Sequence, residues 1–153
     1  MAQRSQADRI SSLQEEAAAC ADELLAVSRG IDTDVLPAYE GGDLRIAELQ
    51  CRIQQERCSR LTERLKALEG ALAQAAPGDG TGPRIAAEQA RSIGLTRQLV
   101  QLNLRAAQQN EAFLNDLLAR VRLSEETVQT AGALRSTAEL AALQAALKKE
   151  AGV

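Results

Sequence analysis

Apolar residues recur at seven-residue intervals in three stretches of this chain, and that spacing constrains the fold more than any other feature. Alternating steps of three and four connect the first two series to a second set of apolar positions, whereas the second set of the third stretch is mostly polar. Such spacing is typical of the contact face of a coiled-coil helix. The clearest series consists of Leu44, Cys51, Cys58, Leu65 and Leu72.

The amino-acid composition favours the same class of fold. The 153 residues include one Phe, one Tyr and no Trp, and only three Pro. Closely packed helices can build a core from Ala and Leu, whereas sandwiches and α/β folds use branched and aromatic residues. We therefore predict an all-α fold, an antiparallel three-helix bundle of coiled-coil type with a short C-terminal helix or a mobile tail.

Turn and capping signals divide this single predicted domain, residues 1–153, into four helices. Gly30 and Gly132 are stop signals and Asp43 is a candidate N-cap. Residues 32–42, with Pro37 and two glycines, form a connector that has room for one helical turn. The predicted elements are helix 1 at about 7–29, helix 2 at about 43–75, a flexible loop at 76–83, helix 3 at about 84–130 and a C-terminal helix at about 137–149.

Two of these helices carry further apolar or polar positions that predict contacts. Ile46, Leu49 and Ile53 widen the apolar face of helix 2, which indicates that the helix touches more than one neighbour. Asn103 and Asn110 lie on the second seam of helix 3, where asparagine commonly fixes helix register. We therefore expect helix 2 to be central and helix 3 to have a polar seam.

The C-terminal helix is predicted from a capping box at residues 136–139 and a stripe of three leucines. A helix of this length is marginal alone, so the stripe must pack on the bundle or on a partner. We predict that apolar tail residues bind a helical segment of another protein, with the polar seam at Asn103 and Asn110 as the second candidate surface. The tail residues of the stripe are Leu140, Leu143 and Leu147.

Charge and hydropathy argue against two classes of partner. The net charge is −3 and no stretch concentrates Lys or Arg, whereas a nucleic-acid-binding surface is basic. Uninterrupted apolar stretches are only a few residues long, far below the roughly 20 that span a bilayer. With no apolar signal core after Met1, we expect a cytoplasmic protein that neither inserts into membranes nor binds nucleic acid.

Catalytic chemistry has little support in the sequence. The chain has no His, so the usual base for a Ser or Cys nucleophile is missing, and no ExxH motif for a helix-borne metal site occurs. Cys51 and Cys58 are about 10.5 Å apart along a helix, too far for a disulfide. We predict no enzyme, cofactor or metal site, and buried structural thiols without redox function at Cys20, Cys51 and Cys58.

Two segments resemble the flagellar export chaperones of the FlgN family. One joins Gly42-Asp43-Leu44 to the stretches at 49–53 and 61–65, and the other runs from Leu102-Asn103-Leu104 through 109–114 to 117–121. The family has a short helical bundle, a long third helix and a labile C-terminal segment, a layout that covers nearly the whole chain. For docking at an export gate we expect an aromatic anchor in the tail, but the tail of this chain has no aromatic residue.

The resemblance implies a cytoplasmic chaperone that keeps hook–filament junction proteins soluble for type III export. By this resemblance the client would bind the C-terminal part, and the export gate would be a further partner. The apolar candidates for client binding are then Leu134, Leu140, Leu143 and Leu147. The alternative is a structural coiled-coil component or assembly adaptor of a secretion or cytoskeletal apparatus, for which a homodimer stays open. Its seams would then pack against a second copy instead of a client.

Overall fold

The computed structural model describes the backbone of residues 2–77 and 82–150, and the side chains of residues 6–77, 82–126 and several between 141 and 149. All of its regular elements in these ranges are helical, which confirms the all-α bundle. The elements are α1 (Ala2–Gly30), a π-helical segment (Ile31–Val35), α2 (Leu36–Glu40), α3 (Leu44–Gln74) and α4 (Pro83–Glu150).

The chain stays helical where a connector was predicted after Gly30. One π-helical turn follows α1 directly, with Ile31 and Val35 buried, and α2 begins with Pro37 in its first turn. The N–H of Leu36 closes the π-helical turn on the carbonyl oxygen of Ile31, directly before Pro37, which has no N–H of its own to donate. The predicted connector is therefore confined to the turn at residues 41–43.

This turn ends in the predicted N-cap of α3. Gly42 has φ of 78°, a left-handed conformation that costs glycine little. Asp43 Oδ1 then accepts a hydrogen bond from the backbone N–H of Ile46 at 3.4 Å. The N-cap prediction for Asp43 is confirmed, and the turn reverses the chain so that α3 runs back along α1.

Cross-helix contacts give the directions of the three long helices. Arg64 pairs with Glu16 at 2.7 Å and Arg57 with Glu23 at 3.1 Å, so α3 is antiparallel to α1. Arg97 of α4 pairs with Glu69 of α3 at 2.9 Å, near the loop that connects the two helices. Because α4 reverses the chain again, it runs parallel to α1.

The heptad positions of all three helices form one core. The fully buried side chains include Val27 of α1, Leu61 and Leu65 of α3, and Val100 and Leu114 of α4. Small residues alternate with them, since Ala17, Ala47 and Ala107 are also buried. This mixture of large and small residues is what allows three helices to pack closely without aromatic side chains.

Continuity of α4 corrects the prediction of a separate C-terminal helix. The helix passes through Gly132 and residues 136–139 without a break. A glycine within a helix costs only about 1 kcal/mol relative to Ala, and strong helix formers flank this one on both sides. The prediction that helix 3 ends near residue 130 was therefore wrong.

The end of α4 extends beyond the bundle. Arg122 Nε lies 3.8 Å from Glu48 Oε1, close to the first turn of α3. At 1.5 Å per residue, the segment 127–150 therefore continues for roughly 36 Å past that end. The described side chains near its end are exposed: Ala141, Ala142, Gln144, Ala145, Ala146, Lys148 and Lys149.

Three apolar residues of α3 do not make the contacts predicted for them. Ile46, Leu49 and Ile53 are 48%, 57% and 42% exposed. They lie on the side of α3 opposite Cys51 and Cys58, because about 100° separates successive helical residues. The neighbours α1 and α4 both pack on the other side, so α3 does have two neighbours but meets them through other residues.

Candidate helix-binding groove

The three thiols lie in the core, as predicted. Cys20, Cys51 and Cys58 are fully buried and free. Cys51 Sγ donates to the carbonyl oxygen of Leu114 at 3.2 Å, and Cys58 Sγ donates to that of Ala107 at 3.0 Å. Contacts this short with a backbone oxygen require close approach of α3 and α4, which a larger side chain at either Cys would prevent.

Burial of the Cys58 thiol also makes the free energy of unfolding fall as the pH rises into the alkaline range. Desolvation and nearby Glu111 raise the pKa of the Cys58 thiol to about 11, above the ordinary 9.0. The unfolded chain therefore loses this proton first, and the stabilisation present below pH 9 is lost as pH rises towards 11. Between about pH 8 and 10.5, we expect this group to lower the free energy of unfolding by about 2 kcal/mol.

Urea unfolding of wild type and Cys58→Ala at both pH values measures this contribution. Over this pH interval the variant should lose less stability than wild type, because it lacks the Cys58 thiol. It should still lose some, because the buried thiols of Cys20 and Cys51 titrate in both proteins. Equal losses in the two proteins would show that Cys58 is not protected from ionisation.

The two predicted asparagines lie inside or at the edge of the α1–α4 contact. Asn110 Nδ2 donates to Ser28 Oγ at 3.2 Å, joining α4 to α1. Asn103 is half-buried, and its buried Nδ2 has no hydrogen-bond partner among the described residues. The side chains of the predicted tail residues lie outside the described part of the chain, namely Leu134, Leu140, Leu143 and Leu147.

A third heptad row on α4, distinct from the core row and from the row of Asn103 and Asn110, is left uncovered by the bundle. It has steps of four, three, four, three and four residues. Its large side chains are between 43% and 61% exposed, whereas Val100 and Ala107 on the α3 side are fully buried. We call these six residues the α4 seam: Leu95, Leu99, Leu102, Ala106, Gln109 and Phe113.

Small residues of α1 lie beside the α4 seam. Glu16 and Glu23 of α1 face α3, and Ser28 faces α4, which leaves the side beyond Ser28 open. Leu25 on that side is 49% exposed. We call the trough between this side of α1 and the α4 seam the α1–α4 groove; its α1 wall consists of Ala7, Gln14, Ala18, Ala21 and Leu25.

The groove deepens into a pocket where α1 and α4 begin. The pocket has a volume of about 300 Å³. Ile10 is nearly buried beneath it, whereas Ile85 on its α4 side is 51% exposed. Its lining continues both walls of the groove and consists of Ala7, Ile10, Ser11, Gln14, Ile85, Glu88, Gln89 and Ser92.

The spacing of the α4 seam residues indicates that a helix fits this groove. Residues spaced alternately by three and four form a nearly straight apolar row, into which the side chains of another helix insert. From Leu95 to Phe113 the row is roughly 27 Å long at 1.5 Å per residue. The groove can therefore hold about five turns of an amphipathic helix.

Comparison of the chain with family models, curated proteins and solved structures gave no match in any of the three. Among the described residues, none of the helices has the length and apolar content needed to cross a membrane. The same part of the chain contains no group of three or more His, Cys, Asp or Glu side chains placed to hold a metal ion.

Sequence reasoning did not identify the α4 seam as a surface. Leu99, Leu102 and Phe113 lie beside the polar seam of helix 3, and the sequence does not tell whether another helix covers them. Their four-three spacing with Leu95 and Ala106 is readable in the sequence, but several apolar rows overlap in α4. Only the positions of α1 and α3 show which of these rows the bundle covers.

Proposed function

We propose that this chain is a non-enzymatic binding protein that holds an amphipathic helix of another protein in the α1–α4 groove. The observation that carries the proposal is the uncovered α4 seam, whose large side chains remain about half exposed. Exposed apolar rows of this kind commonly mark partner-binding surfaces. Burying each leucine fully on binding is worth about 1.5–3 kcal/mol.

A chaperone for export is the specific role that we propose. Resemblance to the FlgN family supports a hook–filament junction protein as the client, delivery to the type III export gate and a cytoplasmic location. A groove that replaces the client's own helical contacts would keep an aggregation-prone segment soluble. Binding by Leu134, Leu140, Leu143 and Leu147 remains a second possibility, since their spacing also gives a leucine stripe.

Substitution of two seam residues tests the groove directly. Leu99→Glu/Leu102→Glu should weaken binding of a purified hook–filament junction protein at least tenfold, because two charges enter the apolar contact. Ile46→Glu/Leu49→Glu on α3 is the matched control, with exposures of 48% and 57% against 45% and 61%. Isothermal titration calorimetry measures both affinities, and equal loss in the two variants would contradict the proposal.

Truncation at Gly132 distinguishes the groove from the tail. The shortened chain keeps the α1–α4 groove and lacks all four tail leucines, so binding through the groove should persist at nearly full strength. Loss of binding on truncation, with no effect of the seam substitutions, would assign the client to the tail.

The alternative of a structural coiled-coil component is favoured by the length of α4. Its continuation past α3 is a geometry used by helices that pair with a second copy. Light scattering of the free protein determines the mass in solution. A dimer that Leu99→Glu/Leu102→Glu dissociates would show that a second copy occupies the groove and would overturn the client proposal.

A further inference from the structure

The outer edge of the groove on α4 carries two basic residues, Arg91 and Arg105. They lie fourteen residues apart with Gln98 midway between them, and all three side chains are exposed. Eight other arginines form ion pairs among the described residues, but Arg91 and Arg105 take part in none of them. This pair, the α4 arginine row, therefore has its positive charges available to a partner.

The opposite edge of the groove has the opposite charge near its middle. Asp22 of α1 is exposed, lies one turn from both Ala18 and Leu25, and takes part in no ion pair among the described residues. A helix in the groove therefore has one flank towards the α4 arginine row and the other towards Asp22. Acidic residues of the occupant opposite Asp22 would be repelled, whereas exposed Arg29, seven residues further along this edge of α1, would attract them.

We infer that the α1–α4 groove selects an amphipathic helix of another protein that has acidic residues along the flank facing Arg91 and Arg105. This inference rests on the proposed function and specifies its partner. Charged residues that flank an apolar heptad row set partner choice and orientation in paired helices. Leucine-type residues would insert into the α4 seam, while Glu or Asp residues of the occupant pair with the two arginines.

A second copy of this chain fits the groove less well. Antiparallel pairing of two α4 seams, with Leu102 of each against Ala106 of the other, brings the two Arg105 side chains side by side. Like charges at such positions are destabilising. The charge pattern therefore favours a different protein with an acidic flank.

Three synthetic peptides about three heptads long, close to the length of the groove, provide the test. They share a leucine stripe and neutral residues elsewhere, and one flank carries Glu, Gln or Lys. At about 0.05 M salt we expect the Glu peptide to bind the full chain about tenfold more tightly than the Lys peptide, with less difference at about 0.5 M. The net charge of −3 by itself would favour the Lys peptide. Tighter binding of the Glu peptide would therefore report the α4 arginine row.

Charge reversal on the protein completes the experiment. Arg91→Glu/Arg105→Glu should invert the order of the Glu and Lys peptides, whereas Arg45→Glu/Arg60→Glu on exposed positions of α3 makes the same change in net charge and should preserve it. Equal binding of all three peptides to wild type, or the same response of both variants, overturns the charge inference and leaves the groove intact. Failure of every peptide to bind, together with intact client binding by Leu99→Glu/Leu102→Glu, overturns the proposed function as well.

Discussion

Leu114→Ala is expected to lower the free energy of unfolding by about 2–5 kcal/mol. Leu114 is fully buried, and its carbonyl oxygen lies 3.2 Å from Cys51 Sγ, where α3 and α4 approach closely. Removal of its side chain leaves a cavity that two rigidly packed helices cannot fill by collapsing. Urea unfolding followed by circular dichroism measures the loss.

Leu102→Ala is the matched control, because it makes the same change on the same helix at a side chain that is 61% exposed. We expect it to change stability by less than about 1 kcal/mol. Similar losses for the two variants would mean that the α4 seam belongs to the core and is not a free surface.

Gly30→Ala is expected to destabilise the bundle by about 1–3 kcal/mol, although Ala is the better helix former. A Cβ atom at Gly30 would lie less than 3.0 Å from three atoms of the Gln54 side-chain amide. Gln54 is only 2% exposed, so its amide has little space into which to move. Thermal unfolding of wild type and variant tests this expectation.

Gln54→Ala in the same chain should recover much of the loss. It removes the obstructing amide, together with a buried Oε1 atom that accepts no hydrogen bond among the described residues. The two substitutions should therefore be less destabilising together than the sum of their separate effects. Strict additivity would show that Gly30 is not required for the close approach to Gln54.

The sequence predicts the core positions beside the candidate site but not the exposed surfaces. The spacing of Cys51 and Cys58 among Leu residues identified them as core positions, because a heptad row defines one face of a helix whatever its neighbours are. The same reasoning placed Ile46, Leu49 and Ile53 against a neighbour, and this was wrong. Periodicity tells which residues share a face, but not whether another helix covers that face.

The C-terminal boundary shows the second limit of local signals. Gly132 and the capping box at residues 136–139 predicted a break, yet α4 continues through both. Such signals change helix stability by only about 1 kcal/mol each, and favourable propensity over many neighbouring residues exceeds that amount. Asp43 succeeded as a cap because a left-handed Gly42 and the reversal into α3 already end the preceding helix.

The sequence by itself determined that this chain forms long helices with Ala, Leu and Cys cores, since heptad spacing and the near absence of aromatic residues leave few other ways to bury apolar area. Tertiary structure decided which apolar rows remain open. In the described part of the chain α4 has α1 and α3 beside it, and these two helices do not cover every apolar row of α4. Leu99 and Leu102 therefore stay exposed while Val100 and Leu114 are buried. That difference depends on the direction and register of neighbouring helices, which are set by contacts between residues far apart in the chain.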